Sequence, residues 1–271
     1  MIRVNKEILV RETFPDDTLL VKFDQFRLIF NQDVEIIWNY EEDSELFMLY
    51  CLVKQLQGKN NKISLVLPYI PNARMDRIKK EESYVFTLKY FAEIINLLDF
   101  ENVTVLDPHS DVSLALINKV RIDDPARFIN EAISEIKLES KGIDPLAFYP
   151  DNGAAKRYVD MVKLPWCYGE KKRVWGTGKI IGFEVKGFAL DDIPNKPIMI
   201  VDDICSYGGT AYYAALELKK LGAKDIYFYI SHCEHSILKG ELIKSNLIKK
   251  IFTTDSIFRK EHELIKVLKY V

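Results

Sequence analysis

The 271-residue sequence predicts an α/β protein of two similar domains with mainly parallel sheets. Three observations predict it. Short β-rich apolar runs alternate with amphipathic segments of about ten to fifteen residues, the pattern of βαβ units. The alternation starts again after the acidic turn Asp123-Asp124, which divides the chain into domains 1–123 and 124–271. Several buried-strand runs end in acidic or histidine residues (LDPH, YPD, VDDI), at the edge where open α/β sheets bind ligands.

The elements follow in order. The first forty residues read as β, with strands at LLVKF, FRLIF and VEIIWN. A helix from Ser44 to Gln57, closed by Gly58, precedes the strand KISLVLPYI. A second amphipathic helix covers Tyr84 to Leu98, and NVTVLDP is the next strand. The second domain opens on a helix from Pro125 to Ile136, then the strand LAFYPD and a short helix from Gly153. WCYG and IIGFEV flank a Lys/Arg/Gly-rich stretch. The strand PIMIVDDI, a helix from Gly208 to Leu221 and the strand DIYFYISH come next. A further helix, the strand IKKIFTT and a final helix from Glu261 complete the expectation.

Composition narrows the function. Apolar residues make up 48% and charged residues 29%, the usage of a globular protein rather than a disordered chain or coiled coil. Lysine plus arginine is 38 against 40 acidic residues, a net charge of -2, so the chain is not built to coat nucleic acid. No helix-turn-helix or basic arm is evident. No apolar run reaches the ~18 residues of a membrane span, and MIRVNKEILVRETF lacks a signal-peptide core. Cys51, Cys167, Cys205 and Cys233 show no paired spacing, which fits a reducing, cytoplasmic setting.

The strongest chemical signal is PIMIVDDICSYGGT, Pro197 to Thr210. A buried strand ends in Asp202 and Asp203. A loop with Ser206, Tyr207, Gly208, Gly209 and Thr210 then opens a helix. Amides at a helix N-terminus bind phosphate, and glycines admit it closely. Paired carboxylates beside a phosphate can hold ribose hydroxyls or Mg²⁺. Read alone, such an acid pair is an N-cap turn; strand, acids, hydroxyl-glycine loop and helix together point to a phosphate site. His232, Cys233 and His235 are close in sequence but match no common zinc spacing.

This segment resembles the PRPP-binding motif of the type I phosphoribosyltransferase fold, which makes the expected architecture two phosphoribosyltransferase-like, Rossmann-like domains. Five further segments, one of them weaker, narrow the resemblance to the ribose-phosphate pyrophosphokinases. PYIPNARMDR (Pro68 to Arg77) is similar to their PYYGYARQDR. VTVLDPHS is similar to VxxLDLHS, and FYPDNGAAKR to SPDAGGxKR. YGEKKR (Tyr168 to Arg173) resembles the start of their catalytic flexible loop. FPDDT (Phe14 to Thr18) is a weaker match to FxDGE. The matches run in the family's order from Phe14 to Ser231.

The resemblance implies roles. His109 and Asp151 would contact Mg²⁺-ATP. Arg74 and Asp76 would bind ATP, Arg74 by holding its phosphates. Phe14 and Asp16 would receive adenine, from a neighbouring subunit of a homodimer or larger homo-oligomer. Asp202 and Asp203 would bind ribose hydroxyls directly or through Mg²⁺, giving His109, Asp151, Asp202 and Asp203 as the metal-side residues. Ser206 to Thr210 would cradle the 5-phosphate, and Lys171 and Arg173 would clamp the transferring diphosphate. The reaction itself wants such groups. It is an in-line displacement in which the protein positions reactants and offsets charge.

Several positions depart from the family pattern. Met75 replaces a glutamine, Thr18 a glutamate, and the N-terminal region is short. Tyr207 stands where a small hydroxyl residue is usual. A widened 5-phosphate pocket suggests a second acceptor besides ribose 5-phosphate, a 5-substituted ribose such as ADP-ribose, with a place in NAD metabolism. Two other classes compete. A phosphoribosyltransferase would leave residues 1 to 120 unexplained. A non-catalytic regulatory subunit should have lost Lys171, Arg173, Asp202 and Asp203, which are all present.

Overall fold

The computed structural model describes residues 1–78, 83–173 and 180–270; at positions 25, 171–173 and 180–183 it describes the backbone alone. Most of the Lys/Arg/Gly-rich stretch, 174–179, lies outside the described residues. The chain forms two compact units, Met1–Asp123 and Asp124–Val271.

The first unit contains, in order, β1 (Ile2–Val4), β2 (Glu7–Ile8), β3 (Arg11–Thr13), β4 (Leu19–Val21), β5 (Asp33–Trp38), α1 (Ser44–Gln57), β6 (Lys62–Leu67), α2 (Thr87–Leu97), β7 (Val103–Leu106), α3 (Asp111–Leu116) and β8 (Val120–Asp123). Its sheet runs β2-β1-β5-β6-β7-β8, and β3 and β4 make a separate hairpin. β5 to β8 are parallel, while β1 pairs antiparallel with β2 and β5. The helices follow their apolar spacing: Leu49, Leu52, Val53 and Leu56 of α1 recur at three- and four-residue steps and are fully buried.

The second unit contains α4 (Ala126–Glu139), β9 (Leu146–Tyr149), α5 (Asn152–Tyr158), β10 (Trp166–Arg173), β11 (Ile180–Gly187), β12 (Ile198–Cys205), α6 (Gly209–Lys220), β13 (Ile226–Cys233), α7 (Glu241–Lys244), β14 (Lys250–Thr254) and β15 (Ile265–Leu268). The sheet order is β11-β10-β9-β12-β13-β14-β15, parallel throughout except for the β10–β11 hairpin. β12 and β13 carry near-continuous apolar runs because helices cover both faces of a parallel sheet. Ala211, Ala214 and Ala215 are buried on α6, where small side chains let the helix lie close to the strands.

Four expectations are corrected. FRLIF is not a strand: Asp24–Phe26 form a 3-10 turn, and Asp24 bridges Arg27 at 2.6 Å. Phe26 is buried while Leu28 is 90% exposed, so the segment offers no apolar face at period two. The expected final helix is β15 instead, pairing with β14 and extending the second unit's own sheet. Ile265 enters the core there and Val267 packs against it, at strand spacing. The helix expected after β13 is only a 3-10 turn, His235–Lys239, followed by the single-turn α7. The basic run EKKR lies within β10, in register with β11, rather than in a turn between strands.

Candidate active site

The site residues of the second unit gather at the carboxyl edge of neighbouring parallel strands. β9 ends at Tyr149, and Asp151 two residues later caps α5 by accepting from Ala154 N at 3.0 Å. The adjacent strand β12 carries Asp202 and Asp203. Side chains alternate along a strand, so the two carboxylates leave on opposite faces. Asp202 shares its face with Ile198 and Ile200, which belong to the core that includes Ala211, Ala214 and Ala215 of α6. Asp203 lies on the α5 side. It is 8% exposed, and its Oδ2 meets Arg157 Nη1 at 2.8 Å. Its Oδ1 accepts from Ile204 N at 2.7 Å. The structure thus separates the two aspartates that the sequence treats as a pair.

Arg157 had no assigned role in the sequence, although it ends the motif FYPDNGAAKR. The signal was there: an arginine at the last turn of a helix that begins beside the acidic edge. Only the fold brings it to a carboxylate 46 residues away.

The loop after β12 is tightly held. Gly208 adopts the left-handed conformation at φ 79° and is the N-cap of α6. A Cβ there would lie 3.0 Å from Leu242. Gly208 has no side chain with which to cap α6, and first-turn amides at such a helix N-terminus have anion-binding character. Ser206 Oγ donates to Glu234 Oε2 at 2.6 Å, and Glu234 N donates to Cys205 O at 2.8 Å. Gly240 approaches the loop so closely that a Cβ would overlap the Tyr207 carbonyl oxygen. The Tyr207 ring is 60% exposed. Glu234 and Gly240 were not singled out in the sequence; neither belongs to a motif.

Lys171 and Arg173 lie on β10, with backbone partners Phe183 and Ile180 on β11. Their side chains lie outside the described residues.

In the first unit, Arg74, Asp76 and His109 follow the neighbouring parallel strands β6 and β7. Arg74 is exposed and His109 half-buried. Asp76 pairs with Arg77 Nε at 3.1 Å. Phe14 and Asp16 are not at this edge but at the tip of the β3–β4 hairpin. Phe14 is 49% exposed. Asp16 Oδ1 accepts from Thr18 Oγ1 at 2.7 Å and from Thr18 N at 3.1 Å, and these bonds hold its carboxyl below the ordinary value. Thr18, a departure from the family pattern, therefore orders the hairpin tip.

Among the described residues, no three His, Cys, Asp or Glu side chains converge as a metal cage. The donor chemistry still fits Mg²⁺, which takes one or two carboxylates and completes its shell with phosphate oxygens and water. The oxygens of Asp151 and Asp202 are of that kind. The His232 and His235 rings serve the fold. His232 Nδ1 hydrogen-bonds Ser256 Oγ at 2.9 Å, and His235 Nε2 accepts from Arg259 N at 3.1 Å. Burial pushes the Cys233 thiol up to about 12. No helix among the described residues is long and apolar enough to cross a membrane.

Comparison with known proteins gives the site its context. No protein-family model matches the chain. The ribose-phosphate pyrophosphokinase of Sulfolobus acidocaldarius is 30% identical over 257 residues, 91% of this chain and 83% of that protein. The enzyme of the same name from Sulfurisphaera tokodaii is 29% identical, with the same coverage of 91% and 83%. The crystal structure of the phosphoribosylpyrophosphate synthetase of Mycobacterium smegmatis superposes with a TM-score of 0.76 at 19% identity, covering 97% of this chain and 86% of that one. The fold is thus of the phosphoribosyltransferase type found in PRPP synthetases, and the chain belongs to the ribose-phosphate pyrophosphokinase family of diphosphokinase-type transferases.

Proposed function

We propose that this protein transfers the diphosphate of ATP to the 1-hydroxyl of ribose 5-phosphate, forming PRPP and AMP. The observation that carries the reading is the N-terminus of α6 behind the Gly208 turn, with Asp202 in the carboxyl half of the preceding strand. A sugar phosphate fits there with its 5-phosphate on the loop amides and its hydroxyls toward Asp202. The 1-hydroxyl oxygen attacks the β-phosphorus of ATP in line. The bond from that phosphorus to the oxygen bridging to the α-phosphorus breaks, AMP leaves, and the hydroxyl proton passes to solvent.

The protein's share is positioning and charge. Arg74 and His109 hold the nucleotide's phosphates. Lys171 and Arg173 clamp the transferring diphosphate, and Arg157 fixes Asp203 beneath the sugar site. Bound Mg²⁺ would neutralise phosphate charge, with Asp151 and Asp202 as its protein ligands. Phe14, half-exposed on its hairpin, supports a homo-oligomer in which the ring meets a neighbouring subunit's adenine. Four free cysteines suit a reducing cytoplasm.

Tyr207 favours a second acceptor. Its exposed ring beside the phosphate loop could stack on a substituent carried by the 5-phosphate, as in ADP-ribose. The test is AMP release from Mg²⁺-ATP with each acceptor separately. Faster release with ribose 5-phosphate is expected; preference for ADP-ribose would move the same chemistry to NAD metabolism. No AMP with either acceptor would refute the diphosphokinase reading.

A further inference from the structure

The first unit holds a cavity of about 240 Å3 that belongs to none of the site residues above. It opens at the carboxyl ends of β5 and β6, between the start of α1 and the start of α2. Trp38 is the last residue of β5 and is fully buried. Its ring meets Tyr40 edge-on at 6.0 Å and lies 6.1 Å from Phe91 of α2. Pro71 and Ile94 complete apolar walls suited to a flat ring.

Polar side chains border this space, among them Tyr40, Asp43, Asn72 and Thr87. Tyr40 Oη donates to Asp43 Oδ1 at 2.8 Å. Burial and that bond push the phenol up to about 12, so it stays protonated and a donor. At the other side Thr87, the first residue of α2, has its Oγ1 screened from solvent and without a hydrogen-bond partner among the described residues. A buried hydroxyl left unpaired is unfavourable because water satisfied it in the unfolded chain. A ligand acceptor atom placed against this hydroxyl would satisfy it.

These features define the occupant. The volume is below the roughly 300–1,000 Å3 of pockets for drug-sized molecules, which leaves room for one ring system. Aromatic walls favour a planar π-face. The Asp43 carboxylate attracts N–H donors and repels phosphates and carboxylates. We propose that this cavity is a binding site for a small uncharged heteroaromatic compound of the nucleobase class, with an N–H edge toward Asp43 and an acceptor atom toward Thr87. The site is distinct from the Phe14 hairpin assigned to the adenine of ATP, and it does not depend on the diphosphokinase reading.

The probe is adenine, titrated against the full chain by saturation-transfer NMR, with and without excess Mg²⁺-ATP. Adenine is expected to bind in both conditions. Ile94→Trp, which fills the cavity from α2, should abolish binding. Thr87→Val should weaken it about tenfold, the loss of one buried hydrogen bond. AMP, which carries the same base and a phosphate, should bind the cavity more weakly than adenine. The proposal is overturned if adenine does not bind, if Ile94→Trp folds and binds it unchanged, or if ATP displaces it. Should Ile94→Trp fail to fold, unchanged affinity in Thr87→Val overturns it alone.

Discussion

Replacing Arg157 by alanine tests the division of labour between the two aspartates. The Asp203 side chain is 11% exposed and that of Arg157 30%, so the pair lies between the exposed and buried limits. Exposed ion pairs contribute about 0.2–1 kcal/mol. Removing one partner of a fully buried pair costs about 3–5 kcal/mol. A hydrogen bond to a charged group, about 1.5–3 kcal/mol, is the appropriate middle value. At about 2–4 °C per kcal/mol for a chain of this size, Arg157→Ala should lower the melting temperature by roughly 3–12 °C. Asp203 is one residue from Asp202, so the KM for ribose 5-phosphate should rise by about tenfold, one decade per ~1.4 kcal/mol. Arg157→Lys keeps the charge but loses the planar fork, and should recover only part of either effect. The assay is a double-mutant cycle with Asp203→Asn, read by thermal unfolding and by AMP release. A coupling energy above about 1 kcal/mol is expected. Zero coupling, with wild-type KM in Arg157→Ala, would refute the positioning argument.

Three further outcomes follow from the same geometry. Lys171→Ala and Arg173→Ala should each lower turnover by ~10³-fold or more if they clamp developing charge, and near-normal AMP release in both would remove that role. Gly240→Ala should destabilise by about 1–3 kcal/mol through the forced overlap with the Tyr207 carbonyl, and should raise the sugar-phosphate KM; unchanged values of both would show that the contact relaxes freely. Glu135 should contribute to stability only above acidic pH. Burial raises its carboxyl, but hydrogen bonds and charge from Lys250 and Lys266 outweigh that and hold it below its ordinary value. An acid with a depressed folded pKa stabilises above its unfolded value and loses that contribution as pH falls through the folded one. The gap in melting temperature between wild type and Glu135→Gln should therefore be present at neutral pH and close on acidification; a gap independent of pH would argue against the ion pairs.

The legible parts of the chain were those whose signal is local. Buried parallel strands read as continuous apolar runs, so β6, β9, β12 and β13 stand out, as does the glycine-bearing loop before α6. The limits of α1 follow from its apolar period and Gly58. Short elements were not legible. α3 spans six residues, too few to establish a period, and β8 (VRID) has four residues and no continuous apolar run. At β15, IKVLKY mixes lysines with apolar residues, and only pairing with β14 decides between helix and strand. The site was legible where a motif carries its chemistry alone. Arg157, Glu234 and Gly240 act through partners distant in sequence, and no window around them announces that.

The contacts of Gly208, Gly240 and Glu234 with their neighbours have a consequence for the thermodynamics of ligand capture. The loop proposed to cradle the phosphate is shaped by two segments, 205–210 and 234–242, held against each other by the fold itself. The entropic cost of ordering the cradle is thereby met when the second unit folds, and a sugar phosphate meets amides already aligned. Capture should then proceed with little change in heat capacity from loop ordering, at an association rate set by diffusion and charge. Grafting the stretch 202–210 into another chain would transfer the letters of the motif without its stiffness, because the segment after β13 supplies its contacts.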